Sequence, residues 1–168
     1  MATASSTTKV TLSSDREILI TREFDAPREV VFKAMTDPDL IPRWWGPRKY
    51  KIVVDKMDVR PGGAWRFVLT GPDGTEQGFR GEYREIVPNE RIVQTFEWEP
   101  MAGHISVETA TFTEHEGRTL LTNRTSFSSK EDRDGMIQSG MESGLRETHE
   151  RFDELLAALR AADRSRAG

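Results

Sequence analysis

The sequence predicts an α+β protein in which a curved antiparallel sheet of about seven strands wraps a long C-terminal helix. Three observations lead to this prediction. Strand-like alternation of apolar and polar residues fills most of the chain between residues 16 and 127. Gly, Pro and Asn residues interrupt that alternation at hairpin-length intervals. From Ser129 onward, apolar residues instead follow the three- and four-residue spacing of a helix.

The N-terminal third is predicted to hold one strand and two short helices. Residues 16–24 alternate as a strand with one apolar face. Pro27 is well placed in the first turn of a helix, and residues 30–35 carry its apolar stripe. Asp37-Pro38 ends that helix and begins a second short one, which stops at Gly46-Pro47.

A meander of six further strands is predicted next. The segments between turn residues are rich in β-branched and aromatic side chains, and their connections are short enough for antiparallel hairpins. The predicted strands are 50–60, 64–70, 77–87, 91–99, 105–114 and 118–127.

The last predicted element is a helix that begins at Ser129. Its apolar positions, from Ile137 through Phe152 to Leu159, form a single stripe. A helix this long needs a large apolar partner, and the sheet is the one available. A helix that lies in a curved sheet leaves a concave volume between them, which is the default place to look for a ligand.

Length and composition fit a single domain. The chain has 168 residues, and the folded body is predicted to span 15–160. Residues 1–14 include eight Ser or Thr and are predicted to be a disordered tail, while residues 161–168 are predicted to fray.

Charge and residue usage exclude several classes of function. The net charge of −4 argues against a broad nucleic-acid-binding surface. The chain has no Cys, so disulfides, thiol nucleophiles and Cys-based metal sites are ruled out. There is no apolar run of the roughly 20 residues that a membrane span needs. Because the N-terminus has no apolar secretion signal, we expect a cytoplasmic protein. We also expect a monomer or weak dimer that needs no cofactor.

Several blocks of sequence resemble one family. They include ITREFDAPREVVFKAMTDPDLIPRWWGP, MDVRPGGAWRFVL and SGMESGLRETHERFDELL, in an order and spacing that cover residues 16–160. The chain is similar to the C-terminal domains of activator-of-heat-shock-protein-90-ATPase homologues, in the START-like or SRPBCC superfamily. This resemblance implies a helix-grip fold of the Bet v type. It also implies a lipid- or polyketide-like ligand, a cyclase or hydrolase activity, or a co-chaperone role in the stress response.

Strand alternation and the helical stripe select the residues expected to face the volume between sheet and helix. The predicted cavity set is Trp45, Trp65, Phe67, Gln94, Phe96, Trp98, Glu108, Phe112, Asn123, Phe127, Met141 and Leu145.

Two features of this set leave alternatives open. Trp44 and Trp45 are adjacent on a short helix and cannot face the same way. Either one ring plugs the end of the core and the other covers the first helix, or one of the two rings forms a lid on the cavity. The polar members of the set, led by Glu108, either point into the cavity or sit in water near strand ends. An inward Glu108 must be paired or protonated.

The sequence shows little sign of catalytic chemistry. The three His residues are far apart and lack the spacing of a metal site, so no metal is expected. His104, in a predicted cavity-mouth loop, and Glu108 are the acid/base candidates.

The favoured hypothesis is a non-enzymatic binding protein for a small hydrophobic or amphipathic ligand. A cyclase or hydrolase acting on a polyketide-like substrate is one alternative, and a domain that assists a chaperone is the other.

Overall fold

One antiparallel sheet and three α-helices build the part of the chain that the structure describes. The structure is a computed structural model that describes residues 7–167, with side chains through residue 164. The strands are β1 (Lys9–Ser14), β2 (Glu17–Phe24), β3 (Lys51–Met57), β4 (Ala64–Thr70), β5 (Glu76–Val87), β6 (Arg91–Trp98), β7 (Ser106–His115) and β8 (Arg118–Ser126). The helices are α1 (Arg28–Thr36), α2 (Lys130–Gln138) and α3 (Met141–Ala167), with 3₁₀ turns at Ile41–Arg43 and Glu99–Met101.

The predicted α+β architecture is confirmed. The strands pair in the order β1-β2-β8-β7-β6-β5-β4-β3, with every neighbouring pair antiparallel. Each of the seven predicted strands is present, and α3 packs on the concave face of the curved sheet. Turn residues and alternation place these strands because each breaker falls between two segments that have one buried face.

The apolar side chains form two clusters beneath the helices. The larger joins α1, both Trp of the 3₁₀ turn region and the C-terminal half of α3 to the sheet, with Phe24 and Phe152 fully buried. The smaller joins Ile18, Ile20 and Phe127 to α2 and the start of α3. The predicted helical stripe supplies both clusters, so one face of the helical C-terminal region covers much of the sheet.

Both ends of the described chain carry regular secondary structure where the sequence predicts a disordered tail and a frayed terminus. Lys9–Ser14, predicted as part of a disordered tail, forms an edge strand in which Val10 pairs with Ile20. Its side chains are mostly exposed, so backbone hydrogen bonds hold it, and composition alone does not reveal these. At the other end α3 continues to Ala167, where a frayed terminus was predicted from residue 161. Residues 1–6 of the predicted tail lie outside the described residues.

The C-terminal helical region is two helices rather than the single one predicted. α2 begins where expected, because the Ser129 hydroxyl accepts a hydrogen bond from the backbone N–H of Asp132 at 3.0 Å. The break comes at Gly140, whose φ of +84° lies in the left-handed region that favours glycine. α3 then starts at Met141, and its apolar face continues the stripe.

A cavity between the sheet and the last helix

A partly enclosed cavity of about 230 Å³ lies between the concave sheet face and α3. The floor comes from β4 to β8 and the roof from residues 145–152 of α3, with the 3₁₀ turn at Ile41–Arg43 closing one side. Most of the lining is aromatic or aliphatic, and a few polar groups lie among these side chains. This is the arrangement found in sites for small organic molecules.

Trp44 closes one side of the cavity by stacking on the last helix. Its ring lies 4.4 Å from the ring of Phe152, nearly parallel to it. The indole Nε1 donates a hydrogen bond to the backbone oxygen of Ala34 at 3.0 Å, so the buried donor is satisfied. The chain turns at Gly46, whose φ of +82° lies in the left-handed region that favours glycine.

Trp45 continues the aromatic wall toward the sheet. Its ring meets Phe67 edge-on at 5.1 Å and Phe79 at 5.3 Å. Trp65 lies 4.9 Å from Phe67 and donates its Nε1 hydrogen to the backbone oxygen of Thr95 at 3.2 Å. Both Trp of the Trp-Trp pair therefore line the cavity, and Trp44 also contacts the first helix through Ala34.

Arg151 on α3 fastens this wall to the helix. Its guanidinium donates to the backbone oxygens of Gly46 at 2.7 Å, Pro42 at 3.3 Å and Trp45 at 3.4 Å. Burial removes water from the guanidinium and lowers the pKa of Arg151 from its ordinary value. The three carbonyl oxygens accept hydrogen bonds that the guanidinium would otherwise donate to water. The Trp-bearing turn is thus held by charge-assisted hydrogen bonds as well as by stacking.

A polar row crosses the cavity floor. Antiparallel pairing sets Tyr83 opposite Gln94, Gln94 opposite Glu108, and Glu108 opposite Thr125. The first three of these line the cavity. Asn123, one alternation step along β8, lines it too, and its buried Oδ1 accepts no hydrogen bond within the described residues.

Glu108 is the acid of this row. Its carboxyl makes no hydrogen bond or ion pair to any residue from 7 to 164, and desolvation by the surrounding protein raises its pKa to about 7. The inward orientation left open by the sequence is therefore the observed one. At neutral pH the group is divided between the protonated and the ionised form.

His149 faces the cavity from α3 as a neutral ring. It is 6% exposed, its Nδ1 lies 2.6 Å from the Thr8 hydroxyl, and its ring meets Phe24 edge-on at 5.4 Å. Burial, followed by the nearby charge of Arg22, lowers the pKa of His149 to about 3. His149 therefore adds a hydrogen-bonding group to the cavity but no charge at physiological pH.

The structure brings together eight of the twelve residues predicted for the cavity. These are Trp45, Trp65, Phe67, Gln94, Phe96, Glu108, Asn123 and Leu145.

The other four predicted residues lie outside the lining. Phe112 belongs to the main core, where it meets Phe32 at 5.4 Å. Phe127 and Met141 pack in the smaller cluster, and Trp98 ends β6 beyond the cavity. Alternation assigns a residue to a face of the sheet, but it does not say how far along the strand the cavity extends.

The structure places His104, predicted as a cavity-mouth acid or base, away from the cavity lining. His104 is exposed, and its Nδ1 lies 2.8 Å from Asp132 Oδ1 at the start of α2, outside the cavity lining. Sequence reasoning missed His149, although it follows Leu145 by four residues and so falls on the same helical face. It also missed Tyr83, which joins the polar row through pairing with Gln94.

Between residues 7 and 167, no group of three or more His, Asp or Glu side chains is placed to hold a metal ion. None of the helices in that range combines the length and hydrophobicity that a bilayer crossing requires.

The unpaired carboxyl makes stability depend on pH. The pKa of Glu108 is higher in the folded chain, about 7, than its ordinary 4.5, so between those values the folded state binds more protons and stability falls as pH rises. We expect Glu108→Gln to be more stable than wild type at pH 8 by about 2 kcal/mol. The full change in the pKa of Glu108 corresponds to roughly 3 kcal/mol. We expect a smaller effect because water can reach the cavity and screen the carboxylate.

Urea unfolding of both proteins at pH 4 and pH 8 checks this expectation. The difference should be almost gone at pH 4, where Glu108 is mostly protonated in both the folded and the unfolded state. Equal stability at pH 8 would show that the carboxylate is well solvated or paired.

Comparisons with known proteins support the architecture. Residues 25–157 match the family model described as "Activator of Hsp90 ATPase homolog 1-like protein". No curated protein matches the sequence significantly.

Solved structures extend the match to nearly the whole described chain. A Rhodobacter sphaeroides protein superposes with a TM-score of 0.85 at 26% identity, covering 90% of this chain and 99% of that one. A protein from Arthrobacter aurescens gives a TM-score of 0.81 at 27% identity, covering 89% and 91%. The AHSA1 protein from Silicibacter pomeroyi, at 20% identity, shares the fold with a TM-score of 0.69, covering 84% and 98%.

Proposed function

Because this chain belongs to the family of activator of Hsp90 ATPase homolog 1-like proteins, with its START-like helix-grip fold, we propose that it binds a small, partly apolar molecule in the helix–sheet cavity. The observation that carries the proposal is the aromatic cavity with polar groups that have no partner, Glu108 and Asn123 Oδ1. A packed core leaves few such groups, because each one left without a partner costs free energy. A ligand that pairs with them recovers that cost.

The size of the cavity limits the ligand. Its 230 Å³ lies a little below the roughly 300–1,000 Å³ of drug-sized ligand pockets. It exceeds the roughly 150 Å³ engineered cavity that accommodates benzene in another protein. A single aromatic ring with a short polar chain therefore fits, whereas a sterol or a long acyl chain would need the cavity to open.

The ring and the polar groups play different parts in binding. Burying a side chain the size of Phe contributes about 1.5–3 kcal/mol, which by itself gives weak binding. Pairing the polar row adds affinity and, above all, selects the polar end of the ligand. We therefore propose that the cavity binds its ligand with modest affinity and that this affinity depends strongly on the chemistry of the ligand's polar end.

Thermal unfolding with added compounds tests the proposal. Single-ring amphipathic compounds should raise the Tm, because a ligand at 100 times its Kd stabilises by about 2.7 kcal/mol. That corresponds to roughly 5–10 °C for a chain of this size. If none of these compounds raises the Tm at millimolar concentration, the cavity is not a binding site for this class.

Acid–base catalysis in the same cavity is a second candidate, favoured specifically by Glu108. A carboxyl with a pKa near 7 in a partly enclosed site suits proton transfer at neutral pH, as a cyclase or hydrolase requires. Turnover of a bound polyketide-like compound that disappears in Glu108→Gln, while binding persists, would favour this candidate. Retention of an Hsp90-type chaperone by the immobilised protein would instead place its function on the outer surface.

A further inference from the structure

Two hydrogen-bond acceptors on the cavity floor have no donor among the described residues. Glu108 has no hydrogen-bond or ion-pair partner in the described part of the chain, and the buried Asn123 Oδ1 accepts no hydrogen bond. The lining contains no Lys or Arg. A ligand group that only donates hydrogen bonds would satisfy both sites, and an ammonium group is such a group.

The groups around Glu108 carry no positive charge that could neutralise its carboxylate. Gln94 of β6 and Thr125 of β8 flank it on the sheet, and both are uncharged. The other titratable lining residues are Tyr83, whose pKa burial raises, and His149, which is neutral at pH 7. Both are therefore uncharged near neutral pH, and Glu108 is the single source of charge in the lining.

The cation on β2 that acts most strongly on His149 is already paired. Arg22, whose charge acts on His149, forms two hydrogen bonds to the carboxylate of Asp153 at 2.5 and 2.7 Å. It also sits over the ring of Phe24 at 4.7 Å. Its charge is therefore largely balanced, and Glu108 has no protein cation of its own.

The aromatic wall favours the same kind of ligand. Trp44, Trp45, Trp65 and Phe96 all line the cavity, and the faces of such rings attract cations. A carboxylate and several rings around one small volume can therefore share the stabilisation of a single cationic centre.

We infer that the cavity selects a small organic amine, bound as its ammonium ion, with the nitrogen at Glu108 and the apolar body against the Trp wall. This inference rests on the proposed function, because it specifies the ligand of the same cavity. Binding forms and breaks no covalent bond of the ligand, and a proton leaves only those molecules in which Glu108 is still protonated. The ammonium keeps its proton, and any proton on Glu108 goes to solvent when the complex forms.

Calorimetric titration with three matched compounds tests the inference. Phenethylamine, 2-phenylethanol and phenylacetate share one ring and differ in the polar end. At pH 8 we expect the amine to bind at least about tenfold more tightly than the alcohol. Its affinity should rise about tenfold from pH 6 to pH 8, as Glu108 goes from about one-tenth to nine-tenths ionised, while an alkylamine, like Lys, stays protonated.

The isosteric variant Glu108→Gln serves as the control. It should lose both the preference for the amine over the alcohol and its rise with pH, while circular dichroism and thermal unfolding show that the variant is folded. Equal or tighter binding of the alcohol or the acid by wild type would overturn the amine inference and leave the proposed function standing. A preference for the amine that survives in Glu108→Gln would also overturn it. Failure of all three compounds to bind would overturn both.

Discussion

Leu145→Trp should weaken the binding of phenethylamine and 2-phenylethanol by at least about a hundredfold, which equals about 2.7 kcal/mol. Leu145 enters the cavity from the roof helix α3. An indole at this position occupies space that a single-ring ligand needs. Because the residue is half-buried beside an existing void, the strain should stay near 1–3 kcal/mol and the protein should remain folded.

Met141→Trp is the matched control for this change. Met141 lies one helical turn earlier, packs with Phe127 in the smaller cluster and does not line the cavity. The same substitution there should cost similar stability and leave ligand affinity within about threefold of wild type. Calorimetry and thermal melts on both variants make the comparison. If both lose binding equally, the effect comes from disturbing the helix and not from filling the cavity.

Phe152→Ala should lower the free energy of unfolding by about 3–5 kcal/mol, a large part of what a domain of this size has. Phe152 is fully buried, stacks on Trp44 at 4.4 Å and lies 4.9 Å from the ring of Phe24. It therefore joins the helix, the Trp wall and the sheet. Its removal leaves a void that the two neighbouring rings and the strands of the sheet cannot close.

Urea unfolding followed by circular dichroism measures this cost. Leu12→Ala on the edge strand β1 is the comparison, since Leu12 is 52% exposed and its truncation should change stability by less than about 0.5 kcal/mol. A loss of under 1 kcal/mol for Phe152→Ala would mean that the helix does not depend on this contact.

Most of the fold could be predicted because each element carries its own local pattern. The strand 64–70 coincides with β4, for instance, because a turn precedes it and Trp65, Phe67 and Leu69 alternate inward. The prediction failed where backbone geometry decides the structure. β1 is held by pairing with β2 without a buried face of its own, and the positive φ of Gly140 splits the C-terminal helix.

The cavity was harder to predict than the fold because it depends on distances between elements. Alternation correctly put Gln94 and Glu108 on the concave face, yet it also included Phe112, which lies in the solid core. His149 illustrates the opposite error. Its place on the helix is periodic and predictable, but its contact with Thr8 joins residues 141 positions apart, and no local pattern reports that.

Methyl NMR of the protein with bound phenethylamine tests directly whether the helix–sheet cavity holds the ligand. With Ile and Leu methyl groups labelled, we expect shift changes and ligand-to-methyl Overhauser contacts at Ile41, Ile92, Leu121 and Leu145, which line the cavity from four different elements. The exposed Leu12 and Leu120 should show neither. Contacts confined to exposed methyl groups, with the four cavity residues unchanged, would show that the ligand binds outside the helix–sheet cavity.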